Sequence, residues 1–120
     1  MGAKLLIIDD EPGICDLIHK VFSEDGYQVE RATSASGGVR KARDFRPHVV
    51  LLDLKMRGMD GLAALRRIRR VSRASKVIVL TGYGTRQAAQ EAMRFGAYDF
   101  TAKPFDLDLV RGLIAEALGP

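Results

Sequence analysis

A single cysteine, Cys15, stands in a chain of 120 residues, so no disulfide can form within it and a reducing cytoplasm is the expected compartment. Only two histidines, His19 and His48, accompany it, and no set of soft ligands for structural zinc can be assembled. Long apolar runs are missing too. The first, Leu5 to Ile8, stops at Asp9, well short of a signal-peptide core or the roughly 20 residues of a membrane-spanning helix. Met1-Gly2 is not a myristoylation signal, because Leu6 stands where Ser or Thr is needed. A strong excess of charge of one sign is also missing. Nineteen Lys and Arg against 15 Asp and Glu give +4, a mild basic excess that identifies no acidic partner by itself.

What remains is an ordinary folded composition, with 47% hydrophobic and 28% charged residues. The length supports one core, and residues 1–120 are read as one domain. Five short apolar runs predict strands: Lys4–Ile8, Tyr27–Arg31, His48–Leu52, Lys76–Leu80 and Tyr98–Thr101. Helical spacing lies between them. After Pro12, Ile14, Ile18, Val21 and Phe22 fall on one face until Gly26. Further helices are predicted over Ser36–Phe45, Leu62–Val71, Thr85–Phe95 and Asp106–Leu118. Alternating strands and helices imply right-handed crossovers and a parallel sheet covered on both faces. Gly37 and Gly38 each cost up to ~1 kcal/mol in a helix interior, so the second helix is expected to be short or frayed at its start.

In such a sheet the functional crevice lies beyond the carboxyl ends of the strands. There the sequence places Asp9-Asp10-Glu11 after the first strand, Asp53 after the third, Thr81 after the fourth and Lys103 after the fifth. Asp10 or Glu11 beside Pro12 could instead cap the first helix. Two unit charges ~4 Å apart repel by about 4 kcal/mol at an effective dielectric of 20, so three clustered carboxylates call for a cation. A hard divalent ion held by oxygens, magnesium first, suits them. That chemistry points to phosphoryl transfer with Asp53 as nucleophile and Lys103 and Thr81 on the phosphoryl oxygens.

The stretches LLIIDDEP, VVLLDLKMRGMDG, VIVLTGYG and GAYDFTAKPF together resemble the receiver domains of bacterial two-component response regulators, those of transcriptional activators above all. The resemblance implies a doubly wound five-stranded α/β sheet of order 2-1-3-4-5. It implies that Asp53 is phosphorylated by a histidine kinase or phosphotransfer protein, and that Asp9, Asp10, Asp53 and the Lys55 carbonyl hold Mg2+, with Mn2+ as the alternative. Thr81 and Phe100 would be the switch residues, acting on the surface of helix 4, strand 5 and helix 5, through which a homodimer is also conceivable. Lys55 and Tyr83 would tune the lifetime of the acyl phosphate. Arg57 replaces a usual proline and is expected to loosen its loop. Gly38 replaces an expected alanine. The domain is then a switch that turns over no external metabolite.

A phosphohydrolase of the haloacid dehalogenase type uses similar groups, but its nucleophile follows the first strand in a D-x-D pattern, whereas here adjacent acids follow the first strand and the candidate nucleophile follows the third. A pseudo-receiver used only for docking is disfavoured by the full acid set. Arg66, Arg67, Arg69, Arg70 and Arg73 form a basic run on the third helix, which could serve an acidic partner. Without interleaved aromatics or a recognition module, direct nucleic-acid binding is not expected. The sequence is compatible with a stand-alone regulator or with the receiver of a longer protein.

Overall fold

The computed structural model describes residues 2–82, 86–103 and 106–119, with Met59 and Thr81 described by their backbone alone. Five strands, β1 (Lys4–Ile8), β2 (Gln28–Ala32), β3 (Val49–Asp53), β4 (Lys76–Thr81) and β5 (Asp99–Ala102), form one parallel sheet in the order 2-1-3-4-5. The helices are α1 (Pro12–Glu24), α2 (Ala35–Phe45), α3 (Gly61–Val71), α4 (Arg86–Arg94) and α5 (Leu107–Leu118).

The continuous apolar runs follow from burial on both sides. Along β1 and β3, Leu6, Ile8, Val50 and Leu52 face α2, α3 and α4. Their alternates Leu5, Ile7, Val49 and Leu51 face α1 and α5. Each fully buried Leu or Ile contributes about 1.5–3 kcal/mol. A one-residue slip would send each of these side chains to the opposite layer, so the fit of particular side chains within each layer, and not polarity, fixes the register.

α1 begins with Pro12, whose missing N–H costs nothing in a first turn, but neither candidate acid caps it. Glu11 occupies the cap position without a side-chain hydrogen bond, and Asp10 is engaged elsewhere. The chain leaves α1 through Gly26 at φ +99°, a left-handed conformation that favours glycine.

α2 is neither short nor open at its start. It runs 11 residues, and Ser34 caps it by accepting the Gly37 N–H. Gly38 has a packing reason: a Cβ there would lie 2.6 Å from Ile8 Cδ1. The glycine lets α2 settle directly on β1, and the penalty in helix propensity is offset by that contact. Between β3 and α3, Lys55–Met56 pairs antiparallel with Met59–Asp60 across the turn Arg57-Gly58. Among the described residues, no helix is long and apolar enough to cross a membrane.

Candidate functional site

The strand order reverses direction between β1 and β3, and the first acids stand at that crevice. Asp9 follows β1 directly, with its N–H still donated to the Ala32 carbonyl at the end of β2. Asp53 is the last residue of β3. Both are enclosed, at 0% and 3% exposure. Lys103, just past β5, reaches across the sheet end and donates from Nζ to Asp9 Oδ2 at 2.9 Å and Asp53 Oδ2 at 3.2 Å. Glu11 Oε1 stands further off, at 4.0 Å.

The remaining oxygens are held by main-chain donors. Asp9 Oδ1 accepts the Glu11 N–H at 3.0 Å, and Asp53 Oδ1 accepts the Lys55 N–H at 2.9 Å. Asp10 is half-buried and turns toward the opposite wall, where its Oδ2 accepts the Arg57 N–H at 3.1 Å. The loop expected to be loose is thus tied twice, by its two-residue ladder and by this bond. A proline at 57 would have no N–H to give.

Burial pushes the Asp53 carboxyl above its ordinary range, and the Asp9 charge adds to this. The Lys55 N–H and the Lys103 ammonium oppose it without prevailing. Burial pulls the Lys103 ammonium down, but the Asp9 hydrogen bond and the charges of Asp53 and Asp9 outweigh it and raise the group. A more basic carboxylate beside a firmly charged ammonium is a suitable pairing for nucleophilic attack on a phosphoryl group.

One carboxylate oxygen from each of Asp9, Asp10 and Asp53 lies within 4.8 Å of the others. The donors are all hard oxygens, and Asp10 borders an open cleft of about 890 Å³ lined also by Glu11, Thr33, Lys55 and Arg57. Few protein ligands beside space for water is what a small divalent cation such as magnesium takes, and the residues fit it.

Sequence and structure agree on Asp9, Asp10, Asp53 and Lys103, which converge. The backbone of Lys55 touches Asp53, while its side chain extends alongside Gly82. Thr81 closes β4 and pairs with Ala102 of β5. Phe100 on β5 is 44% exposed. Tyr83 lies outside the described residues. Sequence reading missed the Arg57 N–H, because a main-chain donor carries no side-chain signature. Cys15 packs as expected, buried with its thiol near the Asp9 carbonyl, and burial raises its pKa.

Comparison with known proteins agrees with this geometry. Residues 5–115 match the family model for the response regulator receiver domain. The chain is 38% identical over 118 residues to Sporulation initiation phosphotransferase F of Bacillus subtilis, covering 98% of this chain and 95% of that protein. It is 35% identical over 115 residues to Regulatory protein AtoC of Escherichia coli, covering 96% of this chain but only 25% of that longer protein. Among solved structures, a response regulator receiver domain protein from Clostridium thermocellum superposes with a TM-score of 0.90 at 34% identity, covering 96% of this chain and 93% of that one. NtrX from Brucella abortus gives 0.90 at 35% identity, covering 98% of this chain and 27% of that one.

Proposed function

The chain belongs to the response regulator receiver domain family, and from that premise we propose that Asp53 accepts a phosphoryl group from a histidine kinase or phosphotransfer protein. The reading rests on one observation: Asp53 sits at the sheet end with Oδ2 on the Lys103 ammonium and two further aspartates alongside. A carboxylate oxygen of Asp53 attacks phosphorus as the phosphorus–nitrogen bond to the donor imidazole breaks, and the freed imidazole carries away the electron pair. Lys103 holds charge on the phosphoryl oxygens, and the Thr81 hydroxyl donates to one of them.

Asp9, Asp10, Asp53 and the Lys55 carbonyl would hold magnesium, or manganese in its place. When bound, the ion supplies charge neutralisation on the transferring group. The new acyl phosphate biases a two-state element in which Thr81 moves toward the phosphoryl group and Phe100 turns inward from its exposed position. The surface of α4, β5 and α5 then changes its affinity for an output partner or a second copy of the chain. Lys55 and Tyr83 would tune the lifetime of the acyl phosphate. The domain acts in the cytoplasm as a switch and turns over no external metabolite.

Intact mass after incubation with acetyl phosphate and magnesium tests the chemistry. A phosphoryl-sized increase that disappears in Asp53→Asn is expected. An increase that persists in that variant, or none at all in the wild type, overturns the assignment. Sustained release of phosphate from simple esters would favour a phosphohydrolase.

A further inference from the structure

The third helix carries more positive charge than its fold needs. Arg66, Arg67, Arg70 and, just past the helix, Arg73 are exposed, and among the described residues none of the four is in an ion pair. Like charges three or four positions apart on a helix destabilise it by about 0.2–0.5 kcal/mol per pair. Several such pairs occur here, only partly relieved by the helix C-terminus. Arg69 has a structural duty, donating from Nη1 to the Arg73 and Ser75 carbonyls at 3.0 and 2.8 Å. Among the described residues, the side chains of Arg67, Arg70 and Arg73 have no comparable task, and Arg66 lies over the Phe95 ring.

Their arrangement is specific. At about 100° per residue, Arg66 and Arg67 stand roughly 40° and 60° to either side of Arg70, and with Ala63 the three line a concavity of about 260 Å³. Beyond Arg66 the fold brings in Phe95 from the end of α4, 5.1 Å from the guanidinium to the ring centre and 40% exposed. One turn beyond Arg67 on α3 is Val71, 38% exposed. The face thus runs apolar, cationic, apolar. It lies away from the acid pocket: α3 ends near Lys76, which starts β4, while Asp53 lies at the opposite end of the sheet.

We propose that the outer face of α3, with Arg66, Arg67 and Arg70 between Phe95 and Val71, docks an acidic amphipathic helix of a protein partner. Guanidinium groups pair with carboxylates in a fixed fork, and arginine beside aromatic and aliphatic anchors is the composition of a protein interface. A partner helix with carboxylates at i and i+4 matches the Arg66–Arg70 spacing, and its apolar residues cover Phe95 and Val71. A phosphodiester backbone has nothing to place on Val71, which favours protein over nucleic acid. The surface is centred on α3, shares only Phe95 at the end of α4 with the surface of α4, β5 and α5, and does not require phosphorylation of Asp53.

The probe is a fluorescent 18-residue synthetic helix carrying Glu at i, i+4 spacing with flanking leucines, titrated by anisotropy at low and high salt. A second peptide has Lys in place of every Glu. Saturable binding of the acidic peptide, weakened by salt, is expected, with a loss of about 10-fold or more in the Arg66→Gln/Arg70→Gln double variant. Phe95→Ser and Val71→Ser should each weaken it by about 5-fold, and unchanged melting temperatures show these exposed variants to be folded. Absence of binding, equal binding of the lysine peptide, or indifference to the arginine pair overturns the proposal. So does a single-stranded oligonucleotide that binds more tightly and ignores Phe95→Ser and Val71→Ser.

Discussion

Replacing Arg57 by proline removes its side chain and its backbone N–H together, whereas Arg57→Ala removes the side chain alone. The turn Arg57-Gly58 has Gly58 at φ +84°, as the third position of a type II turn requires, and proline is favoured at the position before it. Met56, which precedes it, is already extended, so the restriction proline places on its neighbour is met. The lost group is the N–H on Asp10 Oδ2. That bond holds Asp10 where its carboxylate can join those of Asp9 and Asp53. Removing a group that orients a metal ligand typically costs 10- to 100-fold in affinity. Asp10 is only half-buried, so the lower end applies: about 10-fold weaker magnesium or manganese binding, or about 1.4 kcal/mol. Calorimetric titration of the metal-free protein measures it. Arg57→Ala keeps the N–H and serves as the control, binding no more weakly than the wild type. The proline variant should melt no lower, since a compatible proline stabilises by about 0.4–1 kcal/mol through the unfolded chain. Equal or tighter metal binding by Arg57→Pro, with the fold intact, refutes the reasoning.

Three further outcomes are expected. The native Asp53 carboxyl titrates above its ordinary 3.8, so between the two values the folded chain holds more protons than the unfolded one. Its favourable contribution is present at lower pH and lost as pH rises through the native value. In metal-free buffer Asp53→Asn should therefore be more stable than the wild type at neutral pH, with the gap closing toward pH 4; a gap that widens on acidification contradicts this. Lys103→Met strips the cation from Asp9 and Asp53 and should cost about 3 kcal/mol in chemical denaturation, with magnesium recovering more stability than it adds to the wild type. Gly38→Ala gains up to ~1 kcal/mol of helix propensity but crowds Ile8 at about 1–3 kcal/mol, for a net fall of a few degrees in melting temperature.

The runs VVLLD and KVIVLT were legible because a strand buried on both faces has no polar position to break it. The first strand matched its predicted bounds, and the other four started or ended one residue later than expected. A backbone bond decides that last position, as when Asp53 stays in register with Leu80. Gly38 in α2 was not legible for a different reason: propensity describes a helix in isolation, whereas Gly38 is set by how closely α2 approaches Ile8. Arg57 was noticed for the proline it replaces, yet its consequence runs through an amide to a residue 47 positions away.

By itself the sequence determined the class of fold and the chemical identity of the site. Apolar periodicity is local, and the order of the strands carries Asp9, Asp53 and Lys103 to one edge whatever their rotamers. Only the tertiary structure decided which oxygen meets which donor, that Lys103 spans two carboxylates while Asp10 turns to the Arg57 amide, and that Phe95 comes to rest against the arginines of α3. Those are contacts between segments far apart in the chain, settled by packing distances of a few tenths of an ångström that no residue pattern encodes.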